Sequence, residues 1–190
     1  YTLLAVIDSA MGLTVTDLDQ DGDPDLLATG YNAGAVFLIE NMGSGTFTSA
    51  ASLVAGMPGA KDVDLTDIDG DGDDDLVISA YATSGFHWCA NDGAGNFGAS
   101  QLIDASNTAQ VAEVADLDGD GDPDIATGLE SGMLRWHVND GTGTFSAGAA
   151  FLLPSPRTRC IVLDDLDDDC LLYTSPSPRD RTRYRMPSSA

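Results

Sequence analysis

Short apolar segments alternate with glycine-rich turns along most of the chain. The segments are four to seven residues long, and in several of them apolar and polar side chains alternate, as in Leu134–Val138. An alternation with a period of two is typical of β-strands, and no window carries the apolar spacing of a helix through three turns. The pattern therefore predicts an all-β protein.

The predicted strands recur as a unit of about fifty residues. Each complete unit contains an aspartate-rich loop, two apolar runs and an Asn-x-Gly-x-Gly-x-Phe turn, which together give about four strands. Four-stranded antiparallel units at this spacing are typical of β-propeller blades. The aspartate-rich loops are residues 17–25, 67–75, 116–124 and, in truncated form, 165–169. We therefore expect a partial β-propeller of about three blades within residues 1–169, beginning inside the last strand of an earlier blade.

Negative charge is concentrated in these loops. The formal net charge is −23, and only Glu40, Glu113 and Glu130 of the 31 acidic residues are glutamate, so that 28 are aspartate. Aspartate suits turns and is a hard oxygen ligand. The charge disfavours nucleic acid and anionic lipid as partners, and no apolar run is long enough to span a membrane. The three cysteines show no paired spacing, so neither a disulfide framework nor a zinc site is indicated.

The complete loops share one arrangement of oxygen ligands. Numbered from its first aspartate, each loop has aspartate at positions 1, 3, 5, 7 and 9 and glycine at position 6, which permits a sharp turn. Carboxylates at positions 1, 3 and 5 converge, position 7 offers its backbone carbonyl and position 9 closes the shell, giving roughly five to seven oxygens. This set fits Ca²⁺ better than Mg²⁺, and the lack of thiolate and imidazole ligands argues against zinc and copper. The candidate metal residues are Asp17, Asp19, Asp21, Asp23, Asp25, Asp67, Asp69, Asp71, Asp73, Asp75, Asp116, Asp118, Asp120, Asp122 and Asp124.

Other interpretations of these residues can be weighed against a calcium loop. An EF-hand needs glutamate at position 12, where this chain has Ala28, Ile78 or Thr127. An acidic turn without a metal would leave the repulsion among its aspartates unrelieved, which disfavours it. His87 and Cys89 share one face of a strand and could form half of a transition-metal site, but their equivalents in the other repeats favour packing.

The loops and the Asn-Asp-Gly-x-Gly-x-Phe turns resemble the FG-GAP/VCBS-type repeats of bacterial secreted and surface proteins, and the loops are similar to the calcium loops of integrin α-subunit propellers. The resemblance covers residues 1–169, although only Phe97-Gly98 preserves the Phe-Gly signature. It implies a seven-bladed parent propeller, a metal loop between two strands of each blade, and a structural calcium ion in each complete loop.

The last segment of the chain has a different composition. Residues 170–190 contain four of the eight basic residues, three prolines and no glycine, and they resemble a translated sequencing adapter. We therefore expect residues 170–190 to be a non-native, disordered tail that takes no part in the fold.

Three functions from different classes can be compared with these features. The leading one is an extracellular, secreted or cell-surface calcium-binding propeller that acts as a non-catalytic binding or adhesion scaffold for a protein or carbohydrate ligand. The alternative is an accessory propeller of a secreted hydrolase or lyase, with the catalytic domain outside this sequence. An enzyme with its active site on the propeller axis would need His, Arg, Tyr or Glu at one place in several blades, and none recurs in this way.

Trp88 and Trp136 align with Leu38 and are expected in the core.

Overall fold

In a computed structural model, the chain forms successive four-stranded antiparallel sheets, each with its strands in chain order. The structure describes residues 6–81, 85–154, 157–164 and 173–175, and these contain no helix. The first blade consists of β1 (Ala10–Thr16), β2 (Asp25–Gly30), β3 (Ala35–Ile39) and β4 (Ala51–Ala55). The second consists of β5 (Ala60–Thr66), β6 (Asp75–Ala80), β7 (Gly85–Cys89) and β8 (Gln101–Asp104). The third consists of β9 (Ala109–Ala115), β10 (Asp124–Leu129), β11 (Met133–Asn139) and β12 (Phe145–Leu152). The predicted all-β partial propeller is confirmed.

The hydrophobic core lies between neighbouring blades. Side chains alternate across a strand, so each sheet offers one face to the preceding blade and the other to the next. Leu27 and Val36 of the first blade belong to the same buried cluster as Val63, Leu76 and Ile78 of the second. Fully burying one such side chain stabilises the fold by about 1.5–3 kcal/mol. The second blade has neighbours on both faces, and every residue of β6 and β7 is buried.

One face of the first strand of the first blade has no blade packed against it among the described residues. Leu13 on β1 is 64% exposed, whereas Val63, the residue at the same position of β5, is 2% exposed. Met11 and Val15 on β1 are exposed as well. The position of Leu13 and Val63 is thus apolar in both first strands, and at β5 the first blade buries it.

The fourth repeat contributes a short strand pair. β13 (Val162–Asp164) pairs with β14 (Tyr173–Ser175), and the Asp164–Tyr173 pairing has the register of Ala115–Asp124 one repeat earlier. The expectation that residues 170–190 take no part in the fold is thus wrong for Tyr173–Ser175. The open edge of a first strand accepts an extended segment, and Tyr and Thr favour strands. The truncated loop 165–169 and the rest of the tail lie outside the described residues, and the adapter origin of the tail stays a prediction.

Acidic side chains lie on the first strands of the second and third blades. Asp62 on β5 accepts a hydrogen bond from the Ala112 backbone N–H of β9 (3.3 Å), which joins the two blades. Burial raises the pKa of Asp62 to about 6. Burial, and then repulsion from Asp64 and Asp62, raises the pKa of Glu113 to about 7. Ionised at neutral pH, these carboxylates destabilise the contact between the two blades.

Replacing Asp62 by Asn and Glu113 by Gln should raise the free energy of unfolding at pH 8 by about 1–2 kcal/mol each. In the folded chain the two pKa values, about 6 and about 7, lie above the unfolded value of roughly 4. The stability gained from the protonated carboxyls is therefore full below about pH 4 and is lost as pH rises through about 6 to 7. Urea denaturation of the parent and the double variant between about pH 5.5 and 8 measures the effect. The same pH dependence in both proteins would contradict it.

Candidate metal centres

Each complete aspartate-rich loop connects the first and second strands of its blade. The loops lie between β1 and β2, between β5 and β6, and between β9 and β10, so strands flank all three. The glycine at position 6 has the positive φ that the sequence predicted, +94° at Gly22, +98° at Gly72 and +100° at Gly121. The sharp turn at this glycine reverses the chain, so that the aspartates on either side of it come together.

The carboxylates at positions 1, 3 and 5 converge in two of the loops. Oxygens of Asp17, Asp19 and Asp21 lie within 4.8 Å of one another, and the same holds for Asp67, Asp69 and Asp71. In the third loop the converging group is Asp116, Asp118 and Asp124, at positions 1, 3 and 9. Partial burial, and then repulsion from Asp120, raises the pKa of Asp118. Each loop thus contains a set of carboxylates that could hold a metal ion.

The position 1 aspartate also shapes the loop. In the second loop, Asp67 Oδ1 accepts from the backbone N–H groups of Gly70 (2.8 Å) and Asp71 (3.1 Å), and Oδ2 accepts from Gly72 (3.0 Å). Asp116 accepts from Gly119 and Gly121 in the same way. These bonds wrap the backbone around the position 1 carboxylate and so bring the other aspartates of the loop towards it.

The second loop contains a buried oxygen with no hydrogen-bond donor. Within the described residues, Asp69 Oδ1 is buried and makes no hydrogen bond. A carboxylate oxygen taken out of water without a donor costs free energy, and a cation at the centre of the loop offsets that cost. An all-oxygen donor set of this kind suits a hard cation such as Ca²⁺. The residues present therefore fit the metal that the loop pattern implies.

The position 9 aspartates have a second role that the sequence did not reveal. Asp75 is fully buried, its Oδ2 accepts from the Ile68 N–H (3.0 Å), and its Oδ1 accepts from the Asn91 N–H (2.8 Å). Asp25 and Asp124 accept from the corresponding donors of their own blades. Burial raises the pKa of Asp75 and of Asp124. The carboxylate links the metal loop to the turn between the third and fourth strands, and its part in a ligand shell stays a prediction.

The side chain at position 7 points to that turn as well. A Cβ atom placed on Gly43 would lie 2.7 Å from Asp23 Oδ2, and one on Gly93 would lie 2.5 Å from Asp73 Oδ2. The carboxylate thus lies close against the turn, and the left-handed backbone there, with φ of +77° at Gly43 and +73° at Gly93, is what requires glycine. That position 7 offers its backbone carbonyl to a metal stays a prediction.

The other residues weighed in the sequence lie in the core. Cys89 is buried, and burial raises the pKa of its thiol to about 11, which disfavours the thiolate that a metal would need. His87 is buried on the same strand, and neither residue belongs to the metal-binding groups found among the described residues. Trp88 is in the core, as predicted. Trp136 is only half-buried, so the expectation of a core position does not hold for it, and its indole N–H donates to Asp124 Oδ2 (3.0 Å).

The fold and the loops define a β-propeller with one acidic loop per blade. The family model described as FG-GAP-like repeat matches residues 17–78, 67–127 and 116–173, so that successive matches overlap and run through all three blades. The chain belongs to the FG-GAP-like repeat family.

A lectin β-propeller from Agrocybe aegerita has a similar structure, with a TM-score of 0.57 and 22% sequence identity. That lectin specifically recognises non-reducing terminal N-acetylglucosamine. The similarity covers 85% of this chain and 45% of the lectin chain, and at this identity it concerns the fold.

No curated protein matches the chain. Among the described residues there is no helix long and apolar enough to cross a membrane.

Asp75→Ala should lower the free energy of unfolding by about 2–4 kcal/mol, because it removes the acceptor of two buried N–H groups. Asp74→Ala, at the exposed neighbouring position, is the matched control and should change stability by less than about 0.5 kcal/mol. Urea denaturation in the presence of a chelator keeps any metal contribution out of the comparison. Equal stability of the two variants would contradict the role assigned to Asp75.

Proposed function

We propose that this chain is part of an extracellular, non-catalytic binding propeller in which calcium holds the loops and the ligand is a carbohydrate. The observation that carries the calcium assignment is the convergence of Asp67, Asp69 and Asp71, with Asp69 Oδ1 buried and without a donor. The family membership supports the same assignment for the other two loops. Ligand oxygens on continuous loops give affinities of about 10⁻⁴ to 10⁻³ M in extracellular modules, which suits a secreted or cell-surface protein.

In this proposal calcium is structural. Without the ion, at least three carboxylates meet in each loop, and their repulsion loosens the turn and the two strands that it joins. An ion that binds only the folded state stabilises it by RT ln(1 + [Ca²⁺]/Kd), or about 1.4 kcal/mol per site at tenfold excess. Three sites therefore contribute about 4 kcal/mol, a large share of the stability of a small domain.

The carbohydrate part of the proposal is supported by the fold. The lectin that resembles this chain recognises a terminal sugar, and propellers present loops from several blades on one face. The chain covers less than half of that lectin, so the activity of a whole propeller is itself part of the proposal. The acidic loops are structural elements here, and no catalytic role is proposed for them.

Calcium should raise the melting temperature of the chain in proportion to the logarithm of its concentration above the Kd. Thermal unfolding followed by circular dichroism, with chelator and at several calcium concentrations, measures the shift, and magnesium at equal concentration is the control. A melting temperature that does not depend on calcium would refute the structural role.

Asp71→Ala should remove one calcium site and leave the two others intact. Isothermal titration calorimetry of the parent should give three sites, and the variant should give two. Asp74→Ala is the matched control because it removes an exposed carboxylate of the same loop outside the converging group. Fewer than two sites in the parent, or equal loss in both variants, would count against the assignment.

A further inference from the structure

The contact between the first and second blades is interrupted by a cleft of about 520 Å³. Leu18, Gln20, Leu38 and Glu40 line it from the first blade, and the turn at Gly93–Gly95 lines it from the second. This volume lies in the range of small-molecule sites in proteins, about 300–1,000 Å³. The cleft borders the first metal loop, and three residues of its lining, Asp19, Asp25 and Asp73, are candidate metal residues.

Between the second and third blades, the position that corresponds to the cleft is filled by a side chain. Strand pairing puts Trp88 at the position of Leu38, since Val77 pairs with Trp88 as Leu27 pairs with Leu38. The Trp88 indole lies directly on the turn of the third blade, where a Cβ on Gly143 would be 2.2 Å from its Cζ2 atom. Gly95, at the position of Gly143, has nothing within 4 Å of such an atom. Because Leu38 is smaller than Trp88, the space that Trp88 fills between the second and third blades stays open between the first and second.

Two further departures from the repeat line the open cleft. Gln20 stands where the other loops have Gly70 and Gly119, and it keeps their left-handed backbone, with φ of +60°. A residue with a Cβ is strained in this conformation by about 1 kcal/mol, so Gln20 is less stable at this position than the glycine of the other loops. Glu40 stands where the second blade has Ala90. Within the described residues, neither the Gln20 amide nor the Glu40 carboxylate makes a hydrogen bond or an ion pair.

We propose that this cleft between the first and second blades binds a saccharide unit without an acidic group. This proposal rests on the proposed function and locates its binding site. Leu18 and Leu38 give an apolar surface for the C–H face of a sugar ring, while the Gln20 amide and the Glu40 carboxylate bind its hydroxyl or amino groups. Asp19, Asp25 and Asp73 also line the cleft, and the lining has no cationic side chain. Acidic sugars are therefore repelled.

The second blade supplies residues that can be introduced into the first, one to fill the cleft and two to remove its polar side chains. Leu38→Trp introduces the residue that the second blade tolerates at this position, and Gly95 leaves room for it as Gly143 does for Trp88. Gln20→Gly and Glu40→Ala introduce the second blade's own residues. Met42→Asp is the matched control, because it introduces the residue of Asp92 at an exposed position of the first blade that does not line the cleft.

The full chain, with calcium present, is tested on an array of immobilised saccharides that end in neutral, amino or acidic sugars. Binding of neutral or amino-terminated saccharides should fall at least about tenfold, or about 1.4 kcal/mol, in Leu38→Trp and Glu40→Ala. Met42→Asp should bind like the parent, and all variants should melt within a few degrees of it. Binding that the cleft variants leave unchanged would overturn the site while the carbohydrate function stands. A preference for acidic saccharides would also overturn the site, and binding to no saccharide would overturn both the site and that function.

Discussion

Asp25, Asp75 and Asp124 each begin a second strand with both carboxylate oxygens bound to backbone N–H groups. A buried carboxylate is costly unless it is hydrogen-bonded, and charge-assisted bonds of this kind are among the stronger ones. One oxygen accepts from the metal loop and the other from the turn between the third and fourth strands. The two connections at this end of each blade are therefore held together by a single side chain, and in the first blade that side chain, Asp25, also lines the cleft.

Neighbouring blades use different side chains for the same contact. Between the first and second blades the contact is largely apolar, with Val54 buried in the cluster. The contact between the second and third blades also contains a buried apolar cluster, but there Asp104 takes the place of Val54 in the strand pairing, and its Oδ2 accepts from Arg135 Nη1 at 2.6 Å. Burial acts to raise the pKa of Asp104, but the hydrogen bonds from Ser106 and Arg135 outweigh it and hold the pKa below its ordinary value. The repeat fixes where blades meet, and the individual side chains decide whether the contact is apolar, ionic or open.

Features that depend on residues close in sequence could be predicted, and those that join distant segments could not. The strand period, the glycine at position 6 and the convergence of positions 1, 3 and 5 follow from local spacing. Asp75 was predicted as a metal ligand, but its bond to the Asn91 N–H crosses 16 residues and two strands, so no local pattern signals it. Gln20 and Glu40 could have been identified from the sequence as candidate site residues, since each differs from the residues at its position in the other repeats. Only the packing of blades shows that both departures line one cleft.

The cleft and the first metal loop share part of their structure. Asp19 and Gln20 are consecutive in the loop, and both line the cleft. On the proposed function, an ion that orders this loop also fixes the backbone that carries the Gln20 amide, whose left-handed conformation is strained without support. Two ligands that favour the same arrangement of one loop bind cooperatively, and the coupling is reciprocal, so that a saccharide in the cleft strengthens calcium binding by the same factor. The second and third loops have glycine at this position and have no such side chain to orient. Any coupling between calcium and saccharide is thereby confined to the first loop, although all three loops contain the same aspartates.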